Sequence, residues 1–447
     1  MAEWIPADFY RTTEGLGIWP YRGQVAAVGI GHAPTSRRWD ERPETSVGAL
    51  AIDAIRKAID DAGVAPADID GIVICPDTTT GSWWPEGKPL PQDFLDMFEQ
   101  TDDPFDGLTK LSSEWLVKNV PELTGIKYLR HGPLCTSMAL TGAIESVGRG
   151  LTGTCLVVKG WHNFAGRYYQ GGHNAIDTVE GPGKYGMALA GPASYSTAMV
   201  FQRYLHKYGK THDMMAPFIS NSRRNGLLFP EGYWAQHRPE LISRDDYVNA
   251  RWIAKPANLF DNDLPIHTAA AYVLTTAERA RSMKQKPVYV LGHAGAGSSN
   301  GVTNASVKSR SVIATLEETE ATSAATGRKL FEAAGIQASD MDFENMYDGF
   351  SLFHVHHIEG INFAGIKQGE ALDLFQDDIT IEGPNPVSPS GGNIGGGRTR
   401  FWNHTDSIQQ LQGRAGARQM TKKVEVGISG GFVPMWNNFV IWSSSPD

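Results

Sequence analysis

Cysteine is scarce here: three residues of 447, at positions 75, 135 and 155. They have no metal-ligand spacing, and any disulfide scheme leaves one unpaired, so free thiols in a cytoplasmic protein are expected. Long apolar runs are missing too. No stretch reaches the roughly 18 apolar residues that a membrane-spanning helix needs. The opening MAEWIPADFYRTTEGLG lacks the basic and apolar regions of a secretory signal. Nor is there an excess of positive charge: Lys+Arg 40 against Asp+Glu 49 gives a formal net charge of -9. Without a basic face, a nucleic-acid partner is not expected. The phosphate-cradling pattern GxxxxGK[ST] does not occur, and GGNIGGG (391–397) follows no clear strand of a βαβ unit, so nothing points to a nucleotide site.

What is present is glycine (49) and tryptophan (12), which suggest tight turns and aromatic-lined surfaces or pockets. The length implies two domains or one large duplicated unit. A duplication is legible. QVAAVGIGHA (24–33) and ALAIDAIRKAIDDAGVAPADIDGIVI (49–74) read as strand, helix and strand, and so do PVYVLGHAGA (287–296) and AATGRKLFEAAGIQASDMDFENMYDG (324–349). Asp342 lies 272 residues after Asp70, and Gly335 lies 272 after Gly63. The shared offset implies two α/β halves, 22–285 and 286–447. Further expected elements are a helix over 137–151, strands over 154–160, 424–431 and 439–444, a strand running into a short helix over 269–281, and a helix over 406–416. Two irregular inserts, about 76–130 and 165–260, hold most of the Trp, Tyr and Pro, as a site cap or subunit surface would.

This plan, and the residues at its strand ends, resembles the thiolase superfamily, in particular the sterol-carrier-protein-x type thiolases and the steroid side-chain aldolases of that branch. The resemblance runs from about residue 22 to the end. It implies a duplicated α/β fold, two mixed five-stranded sheets around shared central helices in α-β-α-β-α layers, and four loops converging on a site.

In the family the first loop carries a nucleophilic cysteine as Cys-x-Ser or Cys-x-Thr at a helix start; CTS (135–137) matches. Helix-end N–H groups would favour a Cys135 thiolate, although a cysteine between Leu134 and Met138 also suits plain core packing. Cys75 and Cys155, in the runs IVICP and TCLVV, read as core. The second loop, Asn-Glu-Ala-Phe or His-Asp-Cys-Phe in the family, reads YDGF here. Tyr347 takes the histidine's position and Gly349 the cysteine's. A phenol donates readily to an oxyanion but is a poor base unless perturbed; alternatively Tyr347 packs and Asp348 caps the helix SLFHVHHIEG. The third loop, normally Gly-His-Pro-x-Gly, reads PSGGNIGGGRTRFWNH (389–404), with Arg398 at the histidine's position and His404 six residues on. Arg398 or Arg400 suits a carboxylate, phosphate or oxyanion, and neither can act as a base. Gly391, Gly392, Gly395, Gly396 and Gly397 are expected, with His404, to approach substrate. The fourth loop, Cys-x-Gly-Gly-Gly, reads GISGGFVP (427–434) and puts Ser429 where the acid/base cysteine stands. His354, His356 and His357 read as packed or solvated rather than as metal ligands. His162 and His267 are minor candidates for the site, and the RAGAR cluster after 413 reads as surface charge.

The resemblance thus implies catalytic positions at Cys135, Tyr347, Asp348, Arg398 and Ser429, with the second thiolase base lost. Retro-aldol cleavage needs only an acid or base at a β-hydroxyl and stabilisation of a departing thioester enolate. The leading expectation is therefore an acyl-CoA carbon–carbon lyase acting on a β-hydroxyacyl-CoA with a bulky apolar part such as a steroid side chain. A Cys135 thiolase or acyltransferase comes second and a non-catalytic scaffold or lipid-transfer subunit third. No bound cofactor or metal is expected, coenzyme A entering as part of the substrate. By resemblance the partners are a second copy of the chain and a small oligonucleotide-fold protein with a zinc ribbon, together a heterotetramer.

Overall fold

The structure, a computed structural model, describes residues 8–75, 84–131, 136–164, 193–296, 315–434 and 437–447. In chain order its main elements are β1 (Val25–His32), α1 (Val47–Ala62), β2 (Gly71–Ile74), β3 (Tyr128–His131), α2 (Thr136–Gly148), β4 (Thr154–Trp161), α3 (Ala193–Tyr208) and α4 (Ala216–Leu227). The hairpin β5 (Trp252–Ala254) and β6 (Ala257–Asn258) follows, then β7 (Thr268–Thr276), β8 (Val288–Gly295), α5 (Leu316–Ala334), β9 (Phe343–Met346) and α6 (Ser351–Gly360). The chain ends with α7 (Gly392–Gly396), α8 (Trp402–Gln412), β10 (Val426–Gly430) and β11 (Asn438–Ser443).

Two compact units result: residues 20–169, 265–291 and 443–447 in one, and 1–19, 170–264 and 292–442 in the other. The units change over between Leu291 and Gly292. The second insert, expected with the N-terminal half, groups instead with the C-terminal one. Glycines explain why. A side chain at Gly391 would sit 2.3 Å from the backbone N of Gly226, and one at Gly395 would sit 1.9 Å from the carbonyl of Ser222. The 391–397 tract therefore lies backbone to backbone on α4, which belongs to the insert.

In the first unit, strands run in the order β3-β2-β4-β7-β1, with β2 parallel to its neighbours and β7 antiparallel to β4 and β1. The sheet is mixed, as expected, but it does not stop at five strands: the start of β8 pairs antiparallel with β1 (Ala26 with Tyr289, Ala27 with Val288), so the expected separate five-stranded sheet is not formed. The apolar face of α1 (Leu50, Ala51, Ala54, Ile55, Ala58, Ile59) recurs at helical spacing and is buried with Val28, Ile72, Leu156 and Val273. Gly31 permits the close approach, since a side chain there would fall 2.0 Å from the carbonyl of Ala54. Cys75 and Cys155 are buried and form no disulfide, as expected for core residues; Cys135 lies outside the described residues, just ahead of α2.

The other unit holds β11-β10-β9 beside the end of β8, with β9 and β10 parallel. There α5 crosses α6 at two glycines: a side chain at Gly327 would fall 2.1 Å from the carbonyl of Gly360.

The duplication holds at the level of dihedral angles and hydrogen bonds. Gly63 ends α1 at φ 67, ψ 30, and Gly335 ends α5 at φ 66, ψ 33, both left-handed caps of the kind glycine adopts without strain. Asp70 then accepts the N–H groups of Gly153 and Thr154, while Asp342 accepts those of Glu425 and Val426. Strand register repeats as well, Gly71 facing Cys155 and Phe343 facing Gly427. Each pair is displaced by the same 272 residues.

Candidate functional site

Three of the four loops meet at the C-terminal ends of the parallel strands β9 and β10, where open α/β sheets commonly place ligands. Tyr347 follows β9 directly and donates its N–H to the Gly430 carbonyl at 2.8 Å, so the second and fourth loops are joined through backbone. Its ring is buried between Phe353 (centroids 6.3 Å) and the half-buried Phe432 (5.4 Å). The Arg400 guanidinium lies 4.1 Å from the Phe432 ring centroid and 5.8 Å from that of Tyr347. Arg400 has φ 65, a left-handed conformation that costs a non-glycine residue about 1–2 kcal/mol. The Asn393 side-chain oxygen holds this turn by accepting the N–H groups of Thr399 and Arg400.

Gly349 occupies the gap on which this site is built. A side chain there would meet the Tyr347 hydroxyl at 2.1 Å and Oδ2 of Asp263 at 2.9 Å. The phenol thus fills the space that a side chain at residue 349 would need.

Asp348 does not cap α6, whose first turn has no side-chain cap. It caps α7 instead, accepting N–H groups of Asn393 (2.7 Å) and Ile394 (3.1 Å) and tying the second loop to the third. Burial lifts its carboxyl to about 7; the two N–H donors and His354 oppose that rise, and Asp263 adds to it. Gly392 must be glycine here. Its φ is +59, and a side chain would fall 2.2 Å from Oδ2 of Asp348.

Arg398 is buried and paired with Asp263, whose Oδ1 takes both Nε (2.6 Å) and Nη2. An Arg398 held ready for a substrate anion was expected, but its charge is balanced within the protein. That leaves Arg400 as the cation lying on the Tyr347 and Phe432 rings. His404 also differs from expectation. It reaches the fourth loop, its Nδ1 standing 2.7 Å from Ser429 Oγ. Trp442 Nε1 donates to the same oxygen at 2.7 Å, so the serine hydroxyl is directed at the imidazole. Burial depresses His404 to about 3, which keeps it a neutral acceptor.

The three helix histidines are all packed, in separate surroundings. Burial depresses His354, but Glu344 at 3.0 Å outweighs it and raises its pKa overall. His357 donates Nε2–H to the Phe432 carbonyl, and His356 meets the Tyr204 ring edge-on. Burial takes both to about 3. Among the described residues no group of His, Cys, Asp and Glu is placed to hold a metal ion, and no helix is long and apolar enough to cross a membrane. In the first unit His162 and His267 lie together, ring centroids 5.4 Å apart, with burial depressing both. Of the RAGAR cluster, Arg418 is not surface charge: it is buried on Asp406 at 2.7 Å. The glycines at 391, 392, 395 and 396 are buried, their close contacts being α4, Asp348 and Trp402.

Asp263 was not singled out in the sequence. FDNDLPIH (260–267) carries no motif, and its place depends on pairing 86 residues away, where Asp263 N–H donates to the Gly349 carbonyl at 3.2 Å. The Asn262–Phe350 bridge and the Arg398 N–H bond to Leu264 secure the same stretch.

This architecture, with its duplicated halves and loops at strand ends, is similar to the thiolase fold. Residues 302–441 match the family described as thiolase C-terminal domain-like. The chain is 27% identical over 399 residues (88% of it, 92% of the relative) to a 17-hydroxy-3-oxo-4-pregnene-20-carboxyl-CoA lyase of Mycobacterium tuberculosis. It is 25% identical over 379 residues (83% and 86%) to a steroid side-chain-cleaving aldolase of Thermomonospora curvata. A solved structure described as an Ltp2-ChsH2(DUF35) aldolase superposes with a TM-score of 0.70 at 19% identity, covering 94% of this chain and 98% of that one.

Proposed function

We propose that this protein is an acyl-CoA carbon–carbon lyase that cleaves a β-hydroxyacyl-CoA with a bulky apolar, steroid-like portion by a retro-aldol reaction. The observation that carries the reading is the second loop: a phenol occupies the site, and the thiolase cysteine's place is a glycine whose missing side chain makes room for it. At the fourth loop, Ser429 is held between Trp442 and His404, so no thiol base stands there. Two relatives named for steroid side-chain chemistry support the substrate class.

In this reaction the β-hydroxyl gives up its proton and the bond between the α and β carbons breaks. Its electron pair passes to the thioester enolate, a ketone forms at the β carbon, and the enolate is protonated at the α carbon. Tyr347 is the acid/base at the hydroxyl. Arg400, on the Phe432 and Tyr347 rings, offsets charge on the enolate. Asp348 holds the glycine tract in register with the phenol, and the buried Arg398 holds Asp263. Coenzyme A enters as part of the substrate. We further propose that the active form is a homodimer bound to a small partner of the oligonucleotide-fold and zinc-ribbon type, a reading suggested by the two-component name of the structural neighbour.

The test is incubation with 17-hydroxy-3-oxo-4-pregnene-20-carboxyl-CoA, alone and with such a partner. The expected products are a 17-ketone and a short acyl-CoA, with Tyr347→Phe losing at least about 10²-fold in kcat. Undiminished turnover by Tyr347→Phe overturns the assignment.

A further inference from the structure

We infer that Asp263 is the proton acceptor behind Tyr347: the phenol takes the substrate proton at Oη while passing its own to Asp263 Oδ2, a two-residue relay. The inference rests on the cleavage reading above for its chemistry, and on three observations for its geometry. First, Asp263 is nearly inaccessible, and Oδ2 has no hydrogen-bond partner among the described residues while Oδ1 takes both Arg398 donors. A buried carboxylate oxygen left unpaired is unfavourable and seldom retained without a use. Second, a side chain at residue 349 would crowd both that oxygen and the phenol, and glycine removes it. One point in space lies 2.1 Å from Tyr347 Oη and 2.9 Å from Asp263 Oδ2. Third, Asp263 is pinned there by backbone. Its own N–H bonds the Gly349 carbonyl, Asn262 bridges Phe350, and Leu264 accepts from Arg398. Three ties within three residues hold the carboxylate against the loop that carries the phenol.

The relay balances. On cleavage, the substrate O–H bond breaks as a bond to Tyr347 Oη forms, and the original phenol proton moves to Asp263 Oδ2. After the carbon–carbon bond has broken, that proton returns to Tyr347, and Tyr347 delivers one to the α carbon of the enolate. The protein ends as it began, and the hydroxyl hydrogen has become a C–H. Arg398 acts by occupying Oδ1, which leaves Oδ2 as the oxygen available to accept the phenol proton. A relay also answers the objection that a phenol is a poor base, because Tyr347 never has to hold net negative charge.

The experiment uses the full-length protein labelled with 13Cζ-tyrosine, the Tyr347 resonance being identified by its absence in Tyr347→Phe. Titrated without substrate, Tyr347 is expected to lose its proton about one pH unit or more lower in Asp263→Asn than in the wild type, because a negative neighbour has been removed. Identical titrations overturn the relay. With 17-hydroxy-3-oxo-4-pregnene-20-carboxyl-CoA as probe, Asp263→Asn should lower kcat about 10²-fold with KM changed less than about threefold. The double variant Asp263→Asn/Arg398→Gln, which leaves no uncompensated cation to unfold the site, should show the same kcat loss. Retention of wild-type kcat in a folded double variant also overturns the relay. Because the titration needs no substrate, a shifted Tyr347 in a protein that cleaves nothing would sink the proposed reaction while leaving the Asp263–Tyr347 couple supported.

Discussion

Replacing Gly349 by alanine adds one methyl group at the centre of the site, and its consequence can be worked from distances. The added carbon would lie 2.1 Å from Tyr347 Oη, 2.4 Å from Cζ and 2.9 Å from Asp263 Oδ2. Such contacts settle near 3.5–4.0 Å, so the phenol must retreat by more than about 1 Å. It has little room, standing between Phe353 and Phe432. Gly349 has no left-handed backbone to lose, so the effect is steric alone. Overpacking of this kind costs about 1–3 kcal/mol of stability, while a misplacement of about 1 Å at reacting groups costs about 10² in rate. The chemistry should therefore suffer more than the fold. Steady-state kinetics on the β-hydroxyacyl-CoA should show kcat down about 10²-fold at nearly constant KM, with a cooperative thermal transition retained. A Gly349→Ala enzyme within about twofold of wild-type kcat would refute the claim that the glycine makes room for a working phenol.

Other perturbations follow from the same contacts. Gly392→Ala combines a positive φ with a collision at Asp348 Oδ2 and should destabilise by at least about 2 kcal/mol, read by denaturant unfolding. Ser429→Ala strands Trp442 Nε1 and His404 Nδ1 in the interior; the expected loss is on the order of 3 kcal/mol, and an unchanged unfolding midpoint would contradict it. Cys135→Ala should leave lyase turnover within a few-fold of wild type, since no acyl-enzyme is required. For acid stability, His267, His356, His357 and His404 are depressed by burial to about 4, 3, 3 and 3. The unfolded chain therefore binds more protons below the ordinary histidine value of about 6.5. That stabilisation is held above about 6.5 and lost as pH falls toward 3. Asp348 and Glu359, raised by burial to about 7, act oppositely between their ordinary values and 7. Four histidines outweigh two carboxyls, so stability followed by tryptophan fluorescence should fall as pH drops from about 6.5 to 4.

The fold was largely legible because its signals are local and repeated. A left-handed glycine closing a helix, then an aspartate before a strand, marks the same turn at Gly63–Asp70 and Gly335–Asp342, and both turns formed with matching angles. Loop positions came from the resemblance of CTS, YDGF, PSGGNIGGGRTRFWNH and GISGGFVP to the family's loops. Side-chain roles did not, because they depend on partners far along the chain. Asp348 was free to cap the helix beside it, yet it caps α7, 45 residues on. Arg398 finds Asp263 across 135 residues, and Ser429 finds His404 across 25. Glycine in the 391–397 tract reads equally as space for a ligand or for a helix backbone, and only the fold reveals α4 against it.

The most direct test of the central claim is product analysis by mass spectrometry after incubating the full-length protein with 17-hydroxy-3-oxo-4-pregnene-20-carboxyl-CoA, alone and with the partner. Cleavage by a Tyr347-centred lyase predicts a 17-ketone, a short acyl-CoA and an unmodified protein, with product formation lost in Tyr347→Phe. An acyl adduct on Cys135 without any ketone would contradict it.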